Sequence, residues 1–185
     1  MFKGFKFKSF YLPDTIKDIA DGTFYNCKLL EHIVLPSNLE RIGSRAFADC
    51  RRLQNITFPD SLETIGDIAF SGCESLTSII FPDKLKEIGA IAFGACHNLN
   101  NVKISRSVEI IRKSAFFDCT NLTSITIPDT VKSIGEYAFL ACDNLKTIIF
   151  EGTQDQWNSI VGKVEKEVNP PHTSVIFNLS SQEIR

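Results

Sequence analysis

Apolar residues recur along this chain at gaps of two and three positions, and the whole pattern repeats every 23 residues. One column of the repeat is invariant leucine, at Leu30, Leu53, Leu76, Leu99, Leu122 and Leu145. Two more invariant columns, of phenylalanine and cysteine, run from Phe24 and Cys27 to Phe139 and Cys142. A fixed period of this length predicts a repeat solenoid, in which successive coils share one apolar interior.

Two large apolar residues stand two positions apart in every unit, as Ile33 and Leu35 do. Between residues 13 and 128 the next position is proline, except at Ser105. Spacing by two is typical of a strand, and proline ends a strand because it has no N–H to donate. Each coil is therefore predicted to add one strand to a parallel sheet. A second extended segment is expected on the opposite side, and the A-F-x-x-C motif is expected to close the coil through a short helical turn.

The strand pattern divides residues into an inward set and an outward set. The outward positions are predicted to be His32, Val34, Asn55, Thr57, Ser78, Ile80, Asn101, Lys103, Ser124 and Thr126. One interpretation is a solvated surface, because Thr and Ser are good exposed strand residues. The functional hypothesis is a flat binding surface, as repeat solenoids commonly present.

The period is lost after residue 150, so the chain divides into a solenoid over residues 13–150 and a C-terminal cap over 151–185. Thr153 and Gln156 form a capping-box pattern, which indicates a helix start. The apolar residues of this predicted helix follow helical spacing and are Trp157, Ile160, Val161 and Val164. Trp157 is interpreted as a core plug rather than a ligand-binding aromatic residue, and residues 174–177 are predicted to add one more strand.

Residues 1–12 are predicted to form a degenerate N-terminal edge repeat. Phenylalanines at 2, 5, 7 and 10 alternate with lysines at 3, 6 and 8, which suggests an edge strand guarded by lysine. The alternatives are a cut through a longer array and an edge that pairs with a second molecule. Self-association through this end therefore stays open at the sequence level.

The six cysteines stand at one phase of the repeat, so their side chains should be parallel and roughly 5 Å apart, a poor geometry for disulfides. We expect six buried, reduced thiols that behave as small hydrophobic groups.

A net charge of −2 provides no field to attract nucleic acid, which is not an expected partner. Membrane insertion is not expected either, because no apolar run approaches the ~18 to 20 residues of a bilayer span. No secretion signal is recognisable in the first ten residues.

Catalytic chemistry is not indicated, because His32, His97 and His172 occupy three different phases and are interpreted as surface residues. No cofactor or metal is expected.

Aspartates at 14, 60, 83 and 129 share one phase after proline and are interpreted as turn residues, with a calcium site as the alternative. A basic cluster of Lys103, Arg106, Arg112 and Lys113 is interpreted as a solvated edge, with an anion site as the alternative.

The repeat resembles the BspA-like subtype of leucine-rich repeat proteins, on the unit L-T-S-I-T-I-P-D-T-V-K-S-I-G-E-Y-A-F-L-A-C of residues 122–142. The segment from Gly152 to Asn158 is also similar to the usual terminal unit of that subtype. The resemblance implies a right-handed, mainly β solenoid with short helical turns, a parallel sheet and a C-terminal cap of a helix and a strand. The positions that usually hold an asparagine ladder do not form one here, which predicts a straighter stack.

The same resemblance implies a function, because BspA-like proteins are typically surface or secreted proteins of host-associated microbes that adhere to host matrix or neighbouring cells. We expect a non-enzymatic adhesion module that presents its β-face to a protein or glycan. A structural spacer belonging to a longer surface protein is the alternative. A surface or secreted location follows from the resemblance, and the unrecognised signal leaves a cytoplasmic one open.

Overall fold

The computed structural model describes residues 2–161 and 167–177, and in them two rows of short strands lie on opposite sides of a solenoid. The first row contains β1 (Ser9–Tyr11), β3 (His32–Val34), β6 (Ser78–Ile80), β8 (Asn101–Lys103), β10 (Ser124–Ile127), β12 (Thr147–Phe150) and β13 (Ser174–Phe177). The second row contains β2 (Asp18–Ile19), β4 (Arg41–Ile42), β5 (Thr64–Ile65), β7 (Glu87–Ile88), β9 (Ile110–Ile111) and β11 (Ser133–Ile134). One helix, α1 (Gln154–Val161), lies between β12 and β13 in the chain. The molecule is thus a parallel-sheet solenoid of about seven turns, as predicted.

The strand pairs are parallel and follow the 23-residue period. Phe10 pairs with Ile33, Ile79 with Val102, and Ile125 with Ile148. Between β3 and β6 the row continues through an isolated bridge from Asn55 to Ser78. The last step, from β12 to β13, is 27 residues long at Ile148 and Val175, because the chain first passes through α1.

The invariant columns form the core. Every column phenylalanine from Phe24 to Phe139 is fully buried, and neighbouring rings stack with centroids 5.1 to 5.8 Å apart. Among the described residues no polar or charged side chain is buried, apart from thiols. The apolar interior is therefore continuous from the first coil to the last, and large aromatic residues supply much of its buried area.

All six cysteines are buried and none forms a disulfide, which confirms the prediction of free thiols. The sulfur also donates a hydrogen bond that the sequence did not reveal. Cys50 Sγ lies 3.2 Å from the Phe24 carbonyl oxygen, and Cys142 Sγ lies 3.1 Å from that of Phe116. Each thiol therefore joins its own coil to the preceding one.

The A-F-x-x-C corner is a run of tight turns rather than one helical turn. Two residues in each corner have positive φ, such as Arg45 (54°) and Asp49 (59°), and they interrupt any helix. The N–H groups of Arg45, Phe47 and Asp49 donate to carbonyls of the next coil at 2.8 to 2.9 Å. The corner is thus a third hydrogen-bonded column beside the two strand rows.

At three of the five positions where an asparagine ladder would stand, a hydroxyl group takes its place, at Ser61, Ser107 and Thr130. Ser61 Oγ lies 2.9 and 2.7 Å from the carbonyl oxygens of Ser37 and Leu39, which share its one proton, and Ser107 Oγ donates to the carbonyl of Pro82 at 3.2 Å. Thr130 Oγ1 lies 3.4 Å from the Val108 carbonyl. Side chains at this phase therefore also connect neighbouring coils.

The C-terminal cap contains the predicted helix start and strand. Thr153 N donates to Gln156 Oε1 at 2.8 Å, and Gln156 N donates to Thr153 Oγ1 at 3.2 Å, which is a reciprocal capping box. Trp157 and Ile160 are buried, and Trp157 packs against Phe150 with ring centroids 5.4 Å apart. Val164, also assigned to the apolar stripe, lies outside the described residues.

At the other end only Ser9–Tyr11 forms a strand, so the lysine-rich segment before it is not part of the edge strand. The Phe2 ring stacks on Phe24 at 5.5 Å and extends the phenylalanine column by one ring. Phe5 is 56% exposed at this end.

Candidate recognition face

The outward side chains of the first strand row form two columns along the solenoid, which together we call the recognition face. The hydroxyl and amide column consists of Ser9, His32, Asn55, Ser78, Asn101, Ser124, Thr147 and Ser174. The mixed column consists of Tyr11, Val34, Thr57, Ile80, Lys103, Thr126, Ile149 and Ile176. Because strand residues two apart point to the same side, the two columns lie side by side.

Each predicted binding residue lies on this face, although exposure differs along it. The eight predicted residues from His32 to Lys103 are exposed, whereas Ser124 and Thr126 are half-buried. Ile80 is the most open apolar side chain, with 84% of its surface exposed. The structure thus places the ten residues together and leaves their role in binding a prediction.

The set of residues predicted from the sequence omits both ends of the face. Tyr11, which is 75% exposed, and Ile149 lie one 23-residue step beyond the predicted set, so the period alone could have found them. Ile176 is half exposed, but it stands 27 residues after Ile149, and no pattern in the sequence predicts a step of that length.

Hydrogen bonds between coils run along the hydroxyl and amide column and along the position just before it in each unit. Ser124 Oγ donates to Asn101 Oδ1 at 2.8 Å, and Thr123 Oγ1 donates to Asn100 Oδ1 at 3.0 Å. Thr77 Oγ1 likewise donates to Asn55 Oδ1 at 3.2 Å. These bonds limit side-chain motion, so the surface is partly ordered before any ligand arrives.

The predicted basic cluster does not gather at one place, because its members lie around the coil. Arg106, at the proline corner, pairs with Asp129 at 2.5 Å and Glu151 at 2.9 Å. Arg112 pairs with Glu87 on the opposite side. Lys113 pairs with Glu136 at 3.2 Å. Three of the four cations are therefore held in ion pairs between coils, which fits the solvated-edge interpretation for them. Lys103 pairs with no carboxylate among the described residues and stands apart on the recognition face.

The other sites considered at the sequence level are not assembled. Across residues 2–161 and 167–177, no three His, Cys, Asp or Glu side chains come together in a way that suits a metal ion. His32 and His172 are exposed, while His97 is half-buried with its Nε2 3.1 Å from Asp118 Oδ2, so His97 is better described as an inter-coil contact. None of the described helices has the length and apolar character of a membrane span.

The buried thiols are poor nucleophiles. Burial raises the pKa of Cys96 to about 12 and holds the pKa values of Cys73 and Cys119 well above their ordinary value. Because the thiolate is the reactive form, these side chains are unreactive at neutral pH.

Comparison with known proteins connects this architecture to a family. The model of the BspA type leucine-rich repeat region, in six copies, matches residues 1–119 and 40–161. A leucine-rich repeat protein of T. pallidum has a crystal structure with a TM-score of 0.74 and 30% identity, and the match covers 88% of this chain and 86% of that one. No curated protein matches the sequence well enough to count as a relative.

Two more solved structures are similar in fold at 22% identity. One, a leucine-rich repeat protein from Bacteroides ovatus, has a TM-score of 0.64, and the match covers 92% of this chain and 55% of that one. The other, the pneumococcal vaccine antigen PcpA, has a TM-score of 0.70, and the match covers 95% of this chain and 42% of that one. This chain therefore spans about half the length of these two proteins.

Proposed function

Because this chain belongs to the family of BspA-type leucine-rich repeat proteins, we propose that it is a non-enzymatic interaction module. It presents the recognition face to a protein or glycan of a host or of a neighbouring cell. The solenoid fold of this family is generally non-enzymatic, which supports a binding role over catalysis.

The observation that carries this proposal is the distribution of exposed apolar side chains. Among the described residues, five large apolar side chains are at least half exposed, and four of them stand in the mixed column, namely Tyr11, Val34, Ile80 and Ile176. The fifth, Phe5, lies at the N-terminal end. Single exposed apolar residues are ordinary, but a set concentrated on one face is typical of an interaction surface. The buried columns hold the coils in place, so the outward residues are free to differ.

A surface location accompanies this function. Proteins of the family are typically surface-associated, and one structure of similar fold is that of a vaccine antigen. A surface position would bring the recognition face into contact with extracellular partners.

The experiment uses charge substitutions on the face. The full chain is tested by surface plasmon resonance against purified host matrix proteins and by binding to a glycan array, and any ligand found is used for titration. Thr57→Glu, Ile80→Glu and Thr126→Glu should each abolish capture, because a carboxylate in a desolvated contact without a partner is strongly unfavourable. Matched controls are Thr64→Glu and Ile110→Glu on the opposite strand row, which should bind normally.

All five variants should melt close to the wild-type temperature, because their side chains point away from the core. Capture that survives all three substitutions would place the contact elsewhere. If no ligand is captured by the wild-type chain either, the spacer hypothesis is favoured, since a spacer needs a rigid stack but no binding surface.

A further inference from the structure

A cavity of about 700 Å³ opens at one edge of the recognition face, between the coil that contains β6 and the coil that contains β8. Its volume falls within the range of small-ligand sites. The residues that line it include Ile80, Asp83, Lys86, Lys103, Ser105, Arg106 and Ser107.

The cavity coincides with the place where the repeat pattern changes. Ser105 takes the position that is proline in the flanking coils, and Arg106 takes a position that is aspartate in four of the other five units. Lys103 is the one charged residue in the mixed column. All three line the cavity. Loss of the pyrrolidine ring at Ser105 leaves room, and the two cations change the local charge.

The lining contains three cations, Lys86, Lys103 and Arg106, and one carboxylate, that of Asp83. Arg106 is already paired with Asp129 and Glu151, so the uncompensated positive charge comes from the two lysines. Neither lysine takes part in an ion pair within residues 2–161 and 167–177. Asp83 Oδ1 accepts a hydrogen bond from Ser105 Oγ at 2.9 Å. The ammonium group of Lys103 is therefore available to an anionic ligand. That of Lys86 is available too, although it also lies near Glu109, whose pKa is lowered mainly by Lys132 and further by Lys86.

The rest of the lining combines an apolar surface with hydroxyl groups. Ile80 exposes its side chain at the mouth of the cavity. Ser105 and Ser107 have their hydroxyl oxygens 3.1 Å apart, and a hydroxyl can both donate and accept. The amide of Asn101 lies in the adjacent column of the face.

We propose that this cavity binds an acidic saccharide, meaning a sugar ring that carries a carboxylate. The inference rests on the function proposed above and names a ligand class for one part of the same face. The ammonium groups of Lys86 and Lys103 pair with the carboxylate. The serine hydroxyls bond the ring hydroxyls, and Ile80 packs against the C–H face of the ring.

An acidic peptide is less well suited to this position. Extended peptides are commonly held by backbone hydrogen bonds at the edge of a sheet. The cavity opens on the face, where the strand on each side of Lys103 already uses the backbone groups of β8. A polyhydroxylated ring needs only side-chain partners, which the cavity offers.

The test titrates the full chain with a tetrasaccharide of alternating glucuronic acid and N-acetylglucosamine, followed by amide NMR. We expect saturable shifts at residues 80 and 103–107 and weaker binding at higher salt. Lys103→Gln should raise the Kd roughly tenfold, as loss of a charge-assisted hydrogen bond does. Ser105→Pro should weaken binding to a similar degree by refilling the cavity, and it should fold because other coils carry proline there.

Lys84→Gln is the matched control, since Lys84 is exposed on the same coil but does not line this cavity. It should bind like the wild type. The inference is overturned if the tetrasaccharide does not saturate the chain, if its carboxyl-reduced form binds equally well, or if an aspartate-rich peptide occupies the cavity more tightly. Those results leave the proposed function standing, because Thr57→Glu and Thr126→Glu test it at other coils.

Discussion

At the scale of single residues, the cysteines illustrate how one side chain performs two tasks in each coil. The thiol fills a small apolar space, and its S–H bonds the carbonyl of the preceding coil at 2.9 to 3.3 Å. The burial of the six cysteines was predicted correctly, because residues at the same position of successive repeat units have the same surroundings. The hydrogen bond could not be predicted, since it depends on the exact offset between coils.

Thiol burial makes the stability of the protein sensitive to alkaline pH. Below about pH 8.5 the thiols are protonated in both states, and above it the unfolded chain loses thiol protons that the folded chain keeps. Because burial raises the pKa of Cys96 to about 12, the free energy of unfolding should fall as pH rises from about 8.5 toward 12, by up to ~1.4 kcal/mol per pH unit for each such thiol. Urea midpoints measured between neutral and alkaline pH test this.

Cys96→Ala provides the comparison for the pH experiment. Its stability should fall less steeply with pH than that of the wild type, since one titrating thiol is gone. Equal slopes for the two proteins would show that other groups cause the alkaline loss. Thiol labelling gives a second check, with no cysteine reacting in the folded protein and all six reacting in denaturant.

The phenylalanine column should dominate the stability of the interior. Phe70 is fully buried and stacks with Phe47 and Phe93 at 5.1 and 5.3 Å. Phe70→Ala should lower the free energy of unfolding by ~3 to 5 kcal/mol. Phe117→Ala, at a partly exposed position, should cost about 1 kcal/mol or less. Similar losses for the two variants would contradict a stacked spine.

At the scale of elements, the strands followed from the sequence better than the corners did. Apolar alternation, as around Ile33, indicated the strands of the first row, and a proline marked the ends of β1, β3, β6 and β10. The corner differed because positive φ occurs at residues of several types, including Arg45 and Ile91. Gly22 and Gly72, and more weakly Asn26, Asp49 and Asp118, gave a local signal of that backbone conformation, and bonds to the next coil hold the other residues there.

The helix of the cap was recognisable because its signal is local. Thr153→Ala should lower the free energy of unfolding by about 1 kcal/mol, since it removes an oxygen that accepts the N–H of Gln156. Ser159→Ala, at an exposed position inside α1, is the control and should have little effect. Hydrogen exchange across residues 154–161 should quicken in the first variant alone, and unchanged exchange there would mean that the box does not stabilise α1.

At the scale of the whole molecule, the N-terminal end favours a guarded edge over a pairing one. β1 has three residues, and Lys3, Lys6 and Lys8 are exposed next to it. Short strands and lysines are common means of preventing edge pairing. We therefore expect a monomer at every concentration in sedimentation experiments, and growth of a dimer with concentration would favour the pairing hypothesis.

The sequence was sufficient for the fold and for most of the face, because both depend on a strict period. The sequence was insufficient for the cavity at Ser105, because Lys103 and Arg106, which line it, were grouped with Arg112 and Lys113 in one basic cluster. In the structure Lys103 stays close to Ser105, whereas Arg112 turns to the opposite side and pairs with Glu87. A coil brings together residues from neighbouring units and separates residues within one unit.

The central claim is that the outward residues of all coils stand in line along one axis. It is tested most directly by a distance between spin labels at Tyr11→Cys and Ile176→Cys, since the two native side chains are 75% and 50% exposed while the native thiols are buried. Seven coil steps of about 4.8 Å predict a narrow distribution near ~34 Å. A broad distribution, or a mean far from this distance, would contradict a single stacked face.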